Sequence, residues 1–190
     1  MEEVKYGKLV DFVHMLIKQS CVGQDLSFVD ATCGNGFDTL YLSKLAGKEG
    51  SVKAFDVQQQ AIERTTALLN NNQDYVNYEV ILDSHEFIPK YITKKIDAAV
   101  FNLGYLPFSD KKVTTKGSIT VSAIKNLLPY LKDNGKIFIT TYVAHDSGNE
   151  YKEVNNFLKE LDTSRYNVLH INVINKENTP PELFIIEKNA

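Results

Sequence analysis

Cysteine is scarce, basic charge is not in excess and long apolar runs are missing, and each shortage closes off a class of protein. Only two cysteines occur, Cys21 and Cys33. They are too few for the disulfide framework of a small secreted domain and lack metal-ligand spacing, so both are expected as free thiols in a reducing compartment. Lys and Arg number 21 against 24 Asp and Glu, a formal charge of −3, which excludes a globally basic nucleic-acid binder while leaving room for a local basic patch. No run approaches the ~20 apolar residues of a membrane span, and the start MEEVKYGKLV carries no apolar segment of the secretory type. A cytoplasmic protein with no membrane partner is expected. With no repeat, low-complexity tract or linker rich in Pro, Gly or Ser, the 190 residues are read as one domain, 1–190.

What is present is alternation. LSFVDA, SVKAFDV, VNYEVIL, IDAAVFNL and GKIFITTYV read as strands, and between them FDTLYLSKLAG, QQAIERTTALLNNN, SHEFIPKYI and SITVSAIKNLLPYL read as helices. Ile62, Thr65, Leu68 and Leu69 share one face of the second of these, and a leading helix carries Val10, Val13 and Ile17 on one side. Such alternation predicts an α/β fold with a largely parallel sheet. After the helical EVNNFLKEL, two further strands, RYNVLHINVI and PELFIIEK, are joined by the short NKENTPP, and so close a connection requires them to be antiparallel. A seven-stranded, mostly parallel sheet ending in an antiparallel hairpin is the arrangement of class I methyltransferases, a Rossmann-like fold.

The chemistry gathers at VDATCGNGFDTLYL, residues 29–42, where Gly34-Asn35-Gly36 stands between a strand ending at Asp30 and a helix starting near Phe37. In α/β folds this turn lies at the carboxyl edge of the sheet, where ligands bind. A P-loop needs Lys and Ser or Thr after its second glycine, and GFDTL supplies neither. A dinucleotide fingerprint would place its third glycine at Thr39, whose side chain opposes close helix packing. S-Adenosylmethionine has no phosphate and asks only for close backbone approach and carboxylates to bind its hydroxyls and ammonium group. Asp56 ends the second strand, placed to accept hydrogen bonds from ribose hydroxyls, and Asp83 ends the third, beside the expected position of an adenine ring. An Asp after a strand also serves simply as a helix N-cap; three successive strands ending this way point to a site. The residues expected around the methyl donor are Asp30, Thr32, Cys33, Gly34, Asn35, Gly36, Asp38, Thr39, Asp56, Val57, Gln58, Asp83, Ser84, His85 and Asn102.

Asn102 ends the fourth strand in FNLGYLPF, a loose relative of the N-P-P-Y loop in which an Asn amide oxygen and a backbone carbonyl aim a target nitrogen at the methyl carbon. Leu103-Gly104 replaces the two prolines. Orientation of this kind supplies much of the catalysis of an in-line displacement. Asn102, Gly104, Tyr105 and His145 are the catalytic candidates, with Tyr105 also able to stack on a flipped base. Lys111, Lys112 and Lys116 follow in SDKKVTTKGS as phosphate contacts. His14 reads as a boundary residue of the leading helix and His170 as a plain strand residue; no two histidines have metal-ligand spacing, and no metal is expected.

Taken together, VDATCGNGFDTLYLSKL, AFDVQQQAI, LDSHE, FNLGYLPFSDK and TTKGSITVSAI resemble the successive motifs of the MnmM/YtqB-type methyltransferases, a bacterial group first described as rRNA methylases. The resemblance spans roughly residues 10–150. It implies a class I fold, S-adenosyl-L-methionine as methyl donor, and methylation of the aminomethyl nitrogen on a modified wobble uridine in the anticodon region of tRNA. The sequence departs from the family at Phe108-Ser109, where Gly-Gly is usual, and in YVAHDSG, where only His145 stands for two histidines and a proline. Other readings stay open: the same chemistry on a small-molecule amine or protein amide, an NAD-dependent oxidoreductase, or a non-catalytic nucleotide-binding module. Association as a homodimer is open as well.

Overall fold

The computed structural model describes residues 8–104, 116–142, 148–176 and 180–190. In chain order the elements are α1 (Leu9–Ser20), β1 (Ser27–Asp30), α2 (Phe37–Ala46), β2 (Ser51–Asp56), α3 (Gln59–Asn72), β3 (Tyr78–Leu82), a 3₁₀ turn (His85–Lys90), β4 (Ile96–Asn102), α4 (Gly117–Leu127), β5 (Leu131–Thr141), α5 (Asn149–Lys159), β6 (Tyr166–Ile171) and β7 (Glu182–Lys188). A single sheet of seven strands runs β3-β2-β1-β4-β5-β7-β6. Pairs from β3 through β5 are parallel, while β7 is antiparallel to both β5 and β6. The expected mostly parallel sheet with a terminal hairpin is therefore what the chain forms.

Burial on both faces explains the unbroken apolar runs in the central strands. Along β4, Ala98 and Val100 face a cluster with Leu9, Val13 and Ile17 of α1 and Leu42 of α2. Ala99 and Phe101 face Ala123, Ile124 and Leu127 of α4 and Val154 of α5. Helix α1 buries Leu9 in place of the expected Val10, because positions 9, 13 and 17 fall at exact four-residue steps along one stripe. In α3 the buried stripe is Ala61, Thr65 and Leu69; Ile62 and Leu68 lie at its margins. The helix expected to run to Leu131 stops at Leu127, giving way to a short 3₁₀ turn at Leu128–Tyr130 and then to β5, which begins at Leu131. Pro129 has no N–H for an α-helical bond, which ends the helix there.

Chain order makes the site. From β1 the chain winds outward through β2 to β3, then returns to lay β4 on the other side of β1. The carboxyl ends of β1 and β4 consequently open a crevice at the switch point, where open α/β sheets bind ligands. Among the described residues no helix is long and apolar enough to cross a membrane.

The turn from α2 into β2 tolerates nothing larger than glycine at position 50. A Cβ there would lie 2.5 Å from the carbonyl oxygen of Ala46 and 2.6 Å from that of Leu26, both backbone atoms. Gly50→Ala should destabilise the fold by about 1–3 kcal/mol, read from a lower denaturation midpoint at unchanged denaturant slope.

Candidate active site

The glycine turn after β1 is held from three sides. Gly34 and Gly36 adopt positive φ angles of 52° and 84°, the region glycine enters without steric cost. A Cβ on Gly36 would sit 2.9 Å from the backbone Cα of Thr65 in α3, so this glycine is kept bare by its packing on α3, where the sequence points to the approach of a ligand. The Thr65 hydroxyl donates to the Gly34 carbonyl (3.2 Å), and the Cys33 N–H donates to the Phe55 carbonyl (2.8 Å). Arg64 donates to the Asn35 side-chain oxygen at 3.2 Å. Cys33 is buried, its thiol pushed well up in pKa by desolvation first and by Asp30 second; together with Cys21 it is a free thiol.

Asp56, at the carboxyl end of β2, accepts hydrogen bonds from the Gly34 N–H at 3.1 Å and the Gln58 N–H at 3.0 Å. One carboxylate thus bridges the turn to the start of α3. Burial raises its pKa, and the backbone donors, Gln58 first, oppose the rise. Val57 beside it is 57% exposed, an apolar surface at the edge of the crevice. At β3, Asp83 accepts from the Ser84 N–H (2.7 Å) and from the Tyr91 hydroxyl (2.8 Å). The N-cap of the following turn is Ser84, whose hydroxyl accepts from Glu86 N–H at 3.4 Å, so capping does not account for Asp83.

His85 is buried, with Nδ1 3.3 Å from the Ala31 carbonyl and its ring edge-on to Phe101. A carbonyl only accepts, so Nδ1 carries the proton, while burial holds the ring's pKa down and keeps it neutral. Its Nε2 is then a bare acceptor, and among the described residues it has no hydrogen-bond partner. Leaving a buried acceptor of this kind unmet costs about 1–3 kcal/mol.

The fully buried Asp30 organises the far side. It accepts from the Thr32 N–H at 3.1 Å and from the Thr39 hydroxyl at 2.6 Å. Thr39, which occupies the place of a third glycine, is used to hold this carboxylate. Burial, then the nearby Asp38 charge, push Asp30 up to about 7. Asp38 in turn pairs with His14 Nε2 at 2.7 Å; the His14 ring stacks on Tyr41 (3.8 Å, 3°), and the Tyr41 hydroxyl donates to the His14 carbonyl. The Thr32 hydroxyl accepts the backbone N–H of Asn102 at 2.7 Å, which fastens the end of β4 to the turn.

The expected residues Asp30, Thr32, Cys33, Gly34, Asn35, Gly36, Asp38, Thr39, Asp56, Val57, Gln58, Asp83, Ser84, His85 and Asn102 come together along the carboxyl ends of β1 to β4 and the segments that follow them. Gly104, with φ 137°, follows Asn102. Tyr105, Lys111, Lys112 and His145 lie outside the described residues; Lys116 is exposed at the N-cap of α4. His14 is more than a boundary residue, since its hydrogen bond to Asp38 locks α1 to the start of α2. No local signal links residues 24 positions apart. His170 is the strand residue expected, in β6, where it pairs with Glu182 at 2.6 Å and stacks on Phe184 across the hairpin. Among the described residues no group of His, Cys, Asp and Glu is arranged to hold a metal ion.

The family model described as "Putative rRNA methylase" matches residues 52–187. The chain belongs to this family. A tRNA (mnm(5)s(2)U34)-methyltransferase of Arabidopsis thaliana chloroplasts is 31% identical over 194 residues, 95% of this chain and 70% of the relative. Among solved structures, a protein of the same rRNA-methylase description from Clostridium thermocellum superposes with a TM-score of 0.90 at 37% identity, covering 98% of this chain and all of the other. A methyltransferase from Streptococcus mutans, in complex with S-adenosylhomocysteine (SAH), gives 0.84 at 39% identity over 99% of both chains. The protein is thus a class I methyltransferase dependent on S-adenosylmethionine, and the glycine turn with its carboxylates fits that donor.

Asp30 carries a pH signature. Its native pKa near 7 exceeds the ordinary value of 3.8, so between these limits the folded protein holds a proton that the unfolded chain has released. Stability from this group is complete below the unfolded value and is lost as pH rises toward 7. Chemical denaturation at pH 5 and pH 8 should show the wild type losing more stability between the two than Asp30→Asn; an equal loss would place the proton elsewhere.

Proposed function

We propose that this methyltransferase acts on tRNA, at the aminomethyl nitrogen of a modified wobble uridine. The observation that carries the reading is the 2.7 Å hydrogen bond from Asn102 N–H to the Thr32 hydroxyl. It ties the backbone of Asn102, a residue whose amide is suited to orienting an amine, to the turn suited to the methyl donor. The activity in the name of the 31% identical Arabidopsis relative supports the same substrate.

In this reading Asp56 accepts hydrogen bonds from the ribose hydroxyls, for which its remaining lone pairs are available. Asp83, Ser84, His85 and Val57 surround the adenine. Asp30, Thr32, Cys33, Gly34, Asn35, Gly36, Asp38, Thr39 and Gln58 form the cradle for the rest of the donor. When bound, S-adenosylmethionine supplies a methyl group on a positively charged sulfur. Asn102 accepts a hydrogen bond from the acceptor nitrogen through its amide oxygen and so turns the lone pair toward that methyl. Tyr105 and His145 border the acceptor, and Lys111, Lys112 and Lys116 contact phosphates. The amine attacks only when uncharged, so turnover rises with pH until the bound amine is deprotonated.

The deciding experiment incubates the protein with labelled donor and a tRNA pool that lacks wobble methylation, then digests the RNA and identifies the labelled nucleoside. Label on a methylaminomethyl-uridine is the expected result; an unlabelled pool, with label passing instead to small amines, would overturn the substrate. In the same assay Asn102→Ala should lower turnover at least 100-fold, the range typical of lost positioning in an active site, while calorimetric affinity for SAH stays near that of the wild type.

Asp56→Ala should behave in the opposite way. Losing two charge-assisted hydrogen bonds should cost about 2–4 kcal/mol of SAH affinity, and a folded variant of unchanged affinity would remove Asp56 from the donor site.

A further inference from the structure

Beyond Asn102 the acceptor side has so far no described residue to hold a base. β4 and β5 are parallel with Asn102 opposite Thr140, and the Leu103 N–H donates to the Thr140 carbonyl at 2.9 Å. Thr140 and Thr141 are buried at 4% and 1% exposure, and the chain then emerges at Tyr142, which is 36% exposed. The Tyr142 ring lies against Gly104: a Cβ added there would meet ring atoms Cδ2 and Cε2 at 3.4 and 3.8 Å. The ring therefore stands beside the segment that follows Asn102, over a position where the chain has no side chain.

Among the described residues the other exposed aromatics are Phe37 and Phe87. Phe37 belongs to the start of α2, on the donor turn. Phe87 belongs to the 3₁₀ turn after β3 and lies beneath the Lys90 ammonium at 3.7 Å from its ring centre. Only Tyr142 adjoins the strand that ends in Asn102. A pyrimidine extruded from a single-stranded loop needs an aromatic face to replace the stacking it gives up.

We propose that Tyr142 is the platform on which the target uracil stacks, fixing the plane of the base so that its aminomethyl substituent is presented to Asn102. This rests on the tRNA reading above. The ring packs against the Gly104 backbone on one side, so the base stacks on the part of the ring that stays exposed. Tyr142 binds the base and takes no part in donor binding, so its loss falls on RNA affinity and KM.

The test compares Tyr142→Leu, Tyr142→Phe and Phe87→Leu with the wild type in three measurements: affinity for an unmethylated-wobble tRNA, kcat and KM for its methylation, and affinity for SAH. Stacking on one base is worth about 1–3 kcal/mol, so Tyr142→Leu should weaken tRNA binding roughly 10- to 100-fold with a matching rise in KM. SAH affinity should stay within twofold, which a merely structural prop for Gly104 and Asn102 would not allow. Tyr142→Phe should restore binding to near the wild-type value, and Phe87→Leu should leave it unaltered. Wild-type affinity in Tyr142→Leu, equal losses in Tyr142→Leu and Phe87→Leu, or failure of Tyr142→Phe to restore binding would each overturn the stacking role alone. A wild-type protein that does not methylate tRNA would overturn the substrate reading and this role together.

Discussion

A carboxylate buried without a cation, Asp30, is the constraint around which the rest of the molecule is arranged. Its two oxygens take hydrogen bonds from neutral donors, the Thr32 N–H and the Thr39 hydroxyl. Such burial is costly unless the group is well bonded or protonated, and both remedies are in place here: the short Thr39 contact, and a pKa raised to about 7. The gain is geometric. Thr32, fixed by Asp30, presents its hydroxyl to Asn102, and Thr39, fixed by the same carboxylate, anchors the first turn of α2 beneath the glycine turn. Donor side and acceptor side of the crevice are therefore parts of one hydrogen-bonded unit.

Helix α1 joins that unit from outside the α/β alternation. Its apolar stripe packs on the sheet face shared with α2, and His14 reaches Asp38 while Tyr41 stacks on the imidazole. Packing alone can slide along a stripe; a directional hydrogen bond reinforced by stacking sets the register. The N-terminal helix thereby closes over the start of α2, where Asp38 stands next to Asp30 in the electrostatics of the site.

The hairpin serves the opposite end of the sheet. Antiparallel β7 lies on β5 and shields its inner edge, which keeps Thr140 and Thr141 buried up to the last residue before Tyr142. The outer strand β6 is left as the edge, with His170 paired to Glu182 and stacked on Phe184, cross-strand contacts that stabilise a pair of strands.

Most of the sheet and the donor turn could be read from local pattern alone. Period-two and period-3.6 spacing are dictated by backbone geometry, and a glycine pair between a strand and a helix is tied to positive φ angles that other residues adopt only at a cost. The alternation, the hairpin and the line of Asp30, Asp56, Asp83 and Asn102 at successive strand ends were legible for that reason. The orphaned Nε2 of His85, the His14–Asp38 lock, the bond between Thr32 and Asn102, and the placing of Tyr142 over Gly104 were not. Each joins residues 24 or more positions apart in the chain, as with His14 and Asp38 or Thr32 and Asn102, or depends on which way a ring turns once the strands are stacked. Spacing along the chain carries no record of such contacts; they exist only after β4 has returned to lie beside β1 and the helices have closed on both faces, because side-chain direction is set by packing against elements that are remote in sequence.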